Sequence, residues 1–197
     1  MRSFFGAIVF VLILAFGQKV TAEETSASKL PPAVLSLEIG AGSWLGDFRS
    51  HLDRDGAYTM TPALDFTLRI PLDKTWGIEG LLGSACVVHP QSEPVEGTFF
   101  YQGLGLFLAF PCEAWSFRVG AGAGFEHATL LLGTYSSGYA EASAGCAYRI
   151  NQRLSWNASL RFRAGFLPSL TIPRVYGLDH IDTPKSLSLT TGVSYSF

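Results

Sequence analysis

The residues of this chain that could do chemistry are four histidines, three cysteines and a series of charged side chains spaced by two within apolar stretches. His51 stands near Asp53 and Asp55, and His180 lies beside Asp179 and Asp182. An imidazole next to a carboxylate can serve as a base with its orienter, and several neutral imidazoles can hold a metal. His89 and His127 complete the set. Polar connecting segments collect such residues without special cause, so no catalytic residue, metal site or cofactor is assigned, and the chain is not expected to be an enzyme. Cys86, Cys112 and Cys146 are odd in number and more than 20 residues apart. They resemble neither a disulfide framework nor a metal-ligand set, and read as buried or lipid-facing thiols.

The charged series carries more information. Glu38, Asp65, Glu79, Glu126 and Glu141 alternate with apolar residues, and so do Arg69, Arg118, Arg149, Arg161 and Arg163. Five acids and five arginines on the same face of successive strands can pair with one another once that face is enclosed. Two other patterns carry no chemistry. Asn157-Ala158-Ser159 matches a glycosylation acceptor but falls within a strand pattern. Gly120, Gly122 and Gly124 share one strand face with no helix following, so they form no phosphate loop.

The elements that must hold these charges follow from a period of two that begins near Val34 and continues to Phe197. Leu35, Leu37, Ile39, Ala41 and Leu45 alternate with Ser36, Glu38, Gly40 and Gly42. Leu64, Phe66, Leu68 and Ile70 alternate with Ala63, Asp65, Thr67 and Arg69. Six more segments repeat the split, led by Trp76, Phe100, Phe117, Ala140, Leu154 and Leu187, with Leu81 and Val87 blurring the polar face of the third. Eight strands result. Short connections at 71–75, 111–115 and 151–153 alternate with long ones at 47–56, 89–97, 129–137 and 167–184. An up-and-down barrel would gather the short turns at one end and the long loops, with all four histidines, at the other. Pro168, Pro173 and Pro184 argue against a further strand in the last loop.

The chain has 197 residues, 48% apolar and 15% charged, with a net charge of −2, which excludes a polycationic nucleic-acid surface. Residues 1–22 read as a signal peptide: Arg2 precedes an apolar run from Phe4 to Phe16, and cleavage is expected after Ala22. That run is too short for a membrane span, which needs about 20 apolar residues. Residues 23–33 read as a flexible leader, and 34–197 as the barrel domain.

Period two is common to soluble barrels with apolar interiors and membrane barrels with apolar exteriors. Small residues mixed with balanced charges suit the narrow lumen of eight strands. Trp76, Phe110, Tyr148, Trp156, Tyr195 and Phe197, with Trp115 in a turn, collect at the short-turn end as an interfacial girdle would, and Phe48, Tyr58, Phe99, Phe100, Phe125, Tyr139 and Phe166 mark the other end less sharply. The run from Thr190 to Phe197 resembles the terminal strand signal of outer-membrane barrels, with Gly192, Tyr195 and Phe197 as the residues of that signal. From Val34 to Phe197 the chain is similar to the small eight-stranded outer-membrane barrels as a class: the OmpA membrane domain, OmpX and OmpW-like proteins, matching no single member.

The resemblance implies export to the bacterial outer membrane and insertion by the barrel-assembly machinery. It also implies outer-membrane lipid as the surrounding partner, and a monomer. Three functions stay open at this point. A barrel plugged by its lumen charges would act through surface loops that contact host or environmental molecules, or in envelope structure. An OmpW-like, porin-like channel would pass small solutes, with Arg118, Arg161 and Arg163 as an anion-selective constriction. A lipid-modifying enzyme would use the loop-end histidines. The first is the expectation carried forward.

Overall fold

The computed structural model describes residues 31–45, 61–87, 97–130, 133–171 and 185–197. The proposed signal peptide with Ala22 and most of the leader lie outside these residues, as do His51, His89, His180 and the aspartates beside them.

Eight antiparallel strands close into a barrel: β1 (Val34–Leu45), β2 (Thr61–Pro71), β3 (Trp76–Val87), β4 (Gly97–Cys112), β5 (Trp115–Leu130), β6 (Gly133–Arg149), β7 (Leu154–Thr171) and β8 (Lys185–Ser196). Each strand pairs with its sequence neighbours, and β1 closes the ring on β8 from Val34↔Ser196 to Leu45↔Lys185. Closure satisfies every strand edge, the condition for exposing a sheet to lipid. The Phe197 N–H extends the seam by donating to the Ala33 carbonyl at 3.0 Å.

The pleat sends alternate side chains in opposite directions. Ser36, Glu38, Asp65 and Thr67 are fully enclosed, while Ile39, Leu104 and Leu189 are 62%, 70% and 62% exposed on the outside. The polar face is therefore the interior and the apolar face the exterior. Leu81 and Phe107, which blur the alternation in sequence, turn inward and fill space opposite glycines; an added Cβ on Gly77 would run into the Phe107 ring.

The short turns are built by local chemistry. Asp73 Oδ1 accepts from the Thr75 and Trp76 N–H groups at 2.6 and 3.0 Å, and those bonds, Thr75 foremost, hold the exposed carboxyl below its usual range. Asn151 Oδ1 does the same for Arg153 and Leu154, both at 2.9 Å. Between β4 and β5 only Glu113 and Ala114 intervene, and Glu113 takes the left-handed φ of 53° that so tight a hairpin demands.

Four sequence expectations are corrected. The loop placed at 129–137 is mostly strand, since β5 runs to Leu130 and β6 starts at Gly133. The loop placed at 167–184 loses its first residues to β7, which continues through Pro168 to Thr171. Proline is tolerated because the register shifts there: Ser136↔Ser169 is followed by Gly138↔Phe166, so two residues of β7 oppose one of β6. Phe99 and Tyr139 do not join an outer girdle; both point inward, 1% exposed. Trp115 is the first residue of β5 rather than part of a turn.

Candidate functional site

Among the described residues most charged side chains lie in the interior, and register decides which of them meet. Arg69 and Glu79 are direct cross-strand partners on β2 and β3, joined by Arg69 Nε donating to Glu79 Oε2 at 2.6 Å. Glu141 and Arg163 are partners on β6 and β7, with Arg163 Nε donating to Glu141 Oε2 at 2.8 Å. Such pairs form wherever opposite charges share a face on neighbouring strands.

The two pairs are linked by a residue that crosses the barrel. Arg161 stands on β7, four strands from β3 in either direction around the ring. Its Nη1 donates to Glu79 Oε1 at 2.9 Å and to Glu141 Oε1 at 2.6 Å. Its Nε lies 3.6 Å from Asp65 Oδ2, and its Nη2 reaches Thr67 Oγ1 at 3.4 Å. One guanidinium thus ties β2, β3, β6 and β7 together across the lumen.

Towards the short turns the carboxylate of Glu38 is held from three other strands. It accepts from Asn157 Nδ2 at 2.6 Å and from the Thr190 hydroxyl at 2.7 Å, and Arg69 Nη2 lies 3.4 Å away. Arg69 Nη1 also donates to Ser36 Oγ at 2.8 Å. Towards the long loops, the Tyr101 hydroxyl donates to Asp65 in a short hydrogen bond, and the Arg163 guanidinium stacks 3.8 Å from the Tyr101 ring centroid. Tyr101 can lie flat here because its neighbour on β3 is Gly83, where a Cβ would collide with the ring and with Asp65.

Of the charges expected in the lumen, Glu38, Asp65, Arg69, Glu79, Glu141, Arg161 and Arg163 come together in this network. Glu126 is buried one level nearer the loops, cross-strand from Tyr101. Arg118 faces inward but joins no ion pair among the described residues, and its Nη2 has no hydrogen-bond partner there. It does not stand with Arg161 and Arg163 as a ring of cations, because those two are engaged by carboxylates. Arg149 departs from the expectation altogether. It lies exposed at the short-turn rim and donates through Nη2 to the Glu113 carbonyl at 3.2 Å, because β6 ends at that residue. The enclosed set is therefore five carboxylates and four guanidiniums.

A cavity of about 10 Å³ lies beside Glu79, Tyr139 and Glu141, and one of about 20 Å³ lies beside Phe99, Tyr101 and Arg163. Each is the size of roughly one water. Sequence reasoning missed Tyr101, Asn157 and Thr190 as network members; their inward parity was the available signal. Gly192, Tyr195 and Phe197 sit on β8 and directly after it, the glycine packed against the Leu37–Glu38 backbone of β1 and the two aromatic rings 5.4 Å apart outside. Around the short-turn rim Trp115 contacts Tyr148 and Trp156 at 5.0 and 6.4 Å, a girdle of exposed aromatics.

His127 faces outward on β5, with Nδ1 2.7 Å from Ser136 Oγ of β6. No carboxylate orients its other nitrogen among the described residues, and none of them forms a metal-binding cluster of histidine, cysteine, aspartate or glutamate.

Neither a protein-family model nor a curated protein matches this chain. Solved structures do. Neisserial surface protein A is similar with a TM-score of 0.63 at 10% identity, covering 84% of this chain and 97% of that one. Ail, the attachment invasion locus protein of Yersinia pestis, matches with a TM-score of 0.53 at 16% identity, over 86% and 100%. The outer membrane protein OprG of Pseudomonas aeruginosa matches with a TM-score of 0.53 at 14% identity, over 88% and 99%. The chain has the fold of small outer-membrane β-barrels.

Proposed function

We propose that the chain is an integral protein of the bacterial outer membrane whose lumen is closed, and which acts through its surface loops in surface interaction or envelope structure. The observation that carries this reading is Arg161, bonded to Glu79 and Glu141 across the barrel interior, with a cavity of only about 10 Å³, roughly one water, beside those two carboxylates. An apolar exterior surrounding a polar interior fits lipid outside and ion pairs inside. The similar fold of a neisserial surface protein and of an attachment invasion protein supports a role at the cell surface. Export by a signal peptide cut after Ala22, insertion through the assembly machinery by way of Gly192, Tyr195 and Phe197, a monomeric state and a host or environmental ligand at the loops belong to the same proposal.

The test is planar-bilayer conductance of the refolded barrel. The wild type should give no resolved conductance steps, and the Arg161→Ala, Glu79→Ala double variant, which removes both halves of the bridge, should give them. Discrete steps from the wild type would replace this reading by a channel.

A further inference from the structure

Three arginines at the short-turn end of the barrel lack a carboxylate partner. Arg118 points inward on β5, four residues nearer the short turns than Gly122, which is in register with Glu141 on one side and, through Gly105, with Glu79 on the other. It therefore stands below the Arg161 bridge. Its guanidinium packs over Gly145, where an added Cβ would lie 3.5 Å from Nη2. That Nη2 is buried without a hydrogen-bond partner, while the residue as a whole is part-exposed although it faces the lumen. The carboxylates above it are engaged, Glu38 by Asn157, Thr190 and Arg69, and Glu79 by Arg69 and Arg161. Arg149 and Arg153 stand exposed at the rim on the same side, and they donate to neutral oxygens, the Glu113 carbonyl and the Tyr195 hydroxyl. None of the three joins an ion pair among the described residues.

The leader is attached at this same end. Its last residue, Ala33, accepts from the Phe197 N–H at 3.0 Å where the β1–β8 seam meets the short turns. Cleavage after Ala22 makes its tip Glu23-Glu24, two carboxylates against one new α-amino group, with Lys29 five residues further on. Its reach can be worked out. Eight strands about 4.8 Å apart and tilted by about 40° close a ring about 16 Å across, and β5 stands opposite β1. Arg118 is three residues past Trp115, about 8 Å in from the rim at about 3.3 Å per residue and the same tilt. The path from Ala33 to Arg118 is thus about 24 Å, and the nine residues from Ala33 to Glu24 span about 30 Å when extended.

Resting on the reading of the chain as a membrane barrel whose signal peptide is cut after Ala22, we propose that the leader folds back across the short-turn mouth and docks its Glu23-Glu24 tip on Arg118. Charge, reach and attachment select this occupant. A carboxylate of the tip accepts charge-assisted hydrogen bonds from the Arg118 guanidinium, and tethering holds it there at about millimolar effective concentration. Arg149 and Arg153 flank the mouth on the side of Arg118 and favour an acidic segment over it. The docked leader covers the short-turn mouth, so that a second barrier stands below the Arg161 bridge.

The test uses residues 23–197 refolded in detergent micelles, where both ends are accessible, with folding checked by heat-modifiable migration. Phenylglyoxal, which adds to guanidinium groups, is applied to the wild type and to Glu23→Gln with Glu24→Gln, and modification of Arg118 is followed by peptide mass spectrometry. These substitutions leave the barrel untouched. Arg118 of the variant should react about fivefold faster, as a leader docked about four-fifths of the time requires. In Arg118→Lys, a carbodiimide should join the new amine to Glu23 or Glu24 as an amide, itself taking up the water as a urea, at about fivefold the yield of joining to Lys74 on the β2–β3 turn. Equal Arg118 reactivity in wild type and variant overturns the docking, and so does cross-linking that is absent or shared evenly with Lys74. Protection of Arg118 by inorganic phosphate to the same extent in both proteins assigns the guanidinium to a free anion instead. Failure to fold overturns the membrane reading. A chain isolated from outer membranes whose N-terminal sequence starts elsewhere than Glu23 overturns the cleavage, and both results are read separately from the docking.

Discussion

Replacing Arg161 by methionine keeps the side chain long and removes its charge, leaving Glu79, Glu141 and Asp65 to share fewer cations. Removing one partner of a buried ion pair costs about 3–5 kcal/mol, because the charge left behind is uncompensated. Arg161 serves two carboxylates at hydrogen-bond distance, at 2.9 and 2.6 Å, and a third at 3.6 Å. The losses do not simply add, since Glu79 retains Arg69 at 2.6 Å and Glu141 retains Arg163 at 2.8 Å. The expected penalty is therefore near the lower bound, about 3 kcal/mol. With a urea dependence of about 2 kcal/mol per molar, the midpoint should fall by about 1.5 M. Equilibrium unfolding in phospholipid vesicles, followed by the fluorescence of the rim residues Trp76, Trp115 and Trp156, measures it. In the Arg161→Met background, Glu79→Gln should restore about 1–2 kcal/mol by withdrawing one unmatched charge. A single-variant loss below about 1 kcal/mol, or a double variant weaker than the single one, would refute the bridge as the central contact of the lumen.

Leu104 is 70% exposed and lies six residues from Phe110, about 15 Å along the barrel at about 3.3 Å per residue and a strand tilt of about 40°, near mid-height of the apolar band. Leu104→Arg should cost about 2–4 kcal/mol in vesicle unfolding, whereas on a soluble protein the change would be close to neutral. Tyr101→Phe takes the hydroxyl donor from buried Asp65 and should cost about 1–3 kcal/mol by urea midpoint, with the ring and its stacking on Arg163 retained. Glu113→Gly relieves the left-handed φ of 53° at an exposed turn and should stabilise the barrel by about 1 kcal/mol; a fall in midpoint would show that the Glu113 side chain does more than occupy the turn.

Strand number, order and the inward face were legible because lipid and lumen impose opposite solvents on alternate residues, so Leu35 and Ser36 or Phe162 and Arg161 are told apart by polarity alone. The signal fades where the outer solvent changes. Beyond Phe125 the outward positions His127 and Thr129 turn polar while the inward Ala128 turns apolar, so the alternation that tells lipid from lumen is lost and the ends of β5 and β6 read as a loop, although their ladder continues from Glu126↔Ser137 to Leu130↔Gly133. Phe99 and Tyr139 were misplaced for a related reason: at the mouth a bulky aromatic can fill the lumen as well as face out, and hydropathy does not choose. Arg149 keeps the inward parity of Glu141 and Ser143, but its strand ends there and its long side chain turns back to the Glu113 carbonyl. The pairing of Arg161 with Glu79 was out of reach, because it depends on how far the closed sheet is staggered, and stagger is a property of the ring rather than of any strand.

That dependence gives the network a purpose beyond stability. A buried ion pair contributes little net free energy compared with a well-packed apolar substitute. A slip of one residue in any strand, however, would exchange its two faces. On β7 it would carry Arg161, Arg163, Asn157 and Ser159 into lipid and Leu160 and Phe162 into the lumen. At about 2–4 kcal/mol for each arginine near mid-membrane, before the abandoned carboxylates are counted, the misregistered barrel is heavily penalised. A slip of two residues keeps the faces but separates Arg161 from Glu79 and Glu141, and Arg163 from Glu141. The paired charges therefore specify one stagger, the one in which Arg69, Arg161 and Arg163 meet their carboxylates.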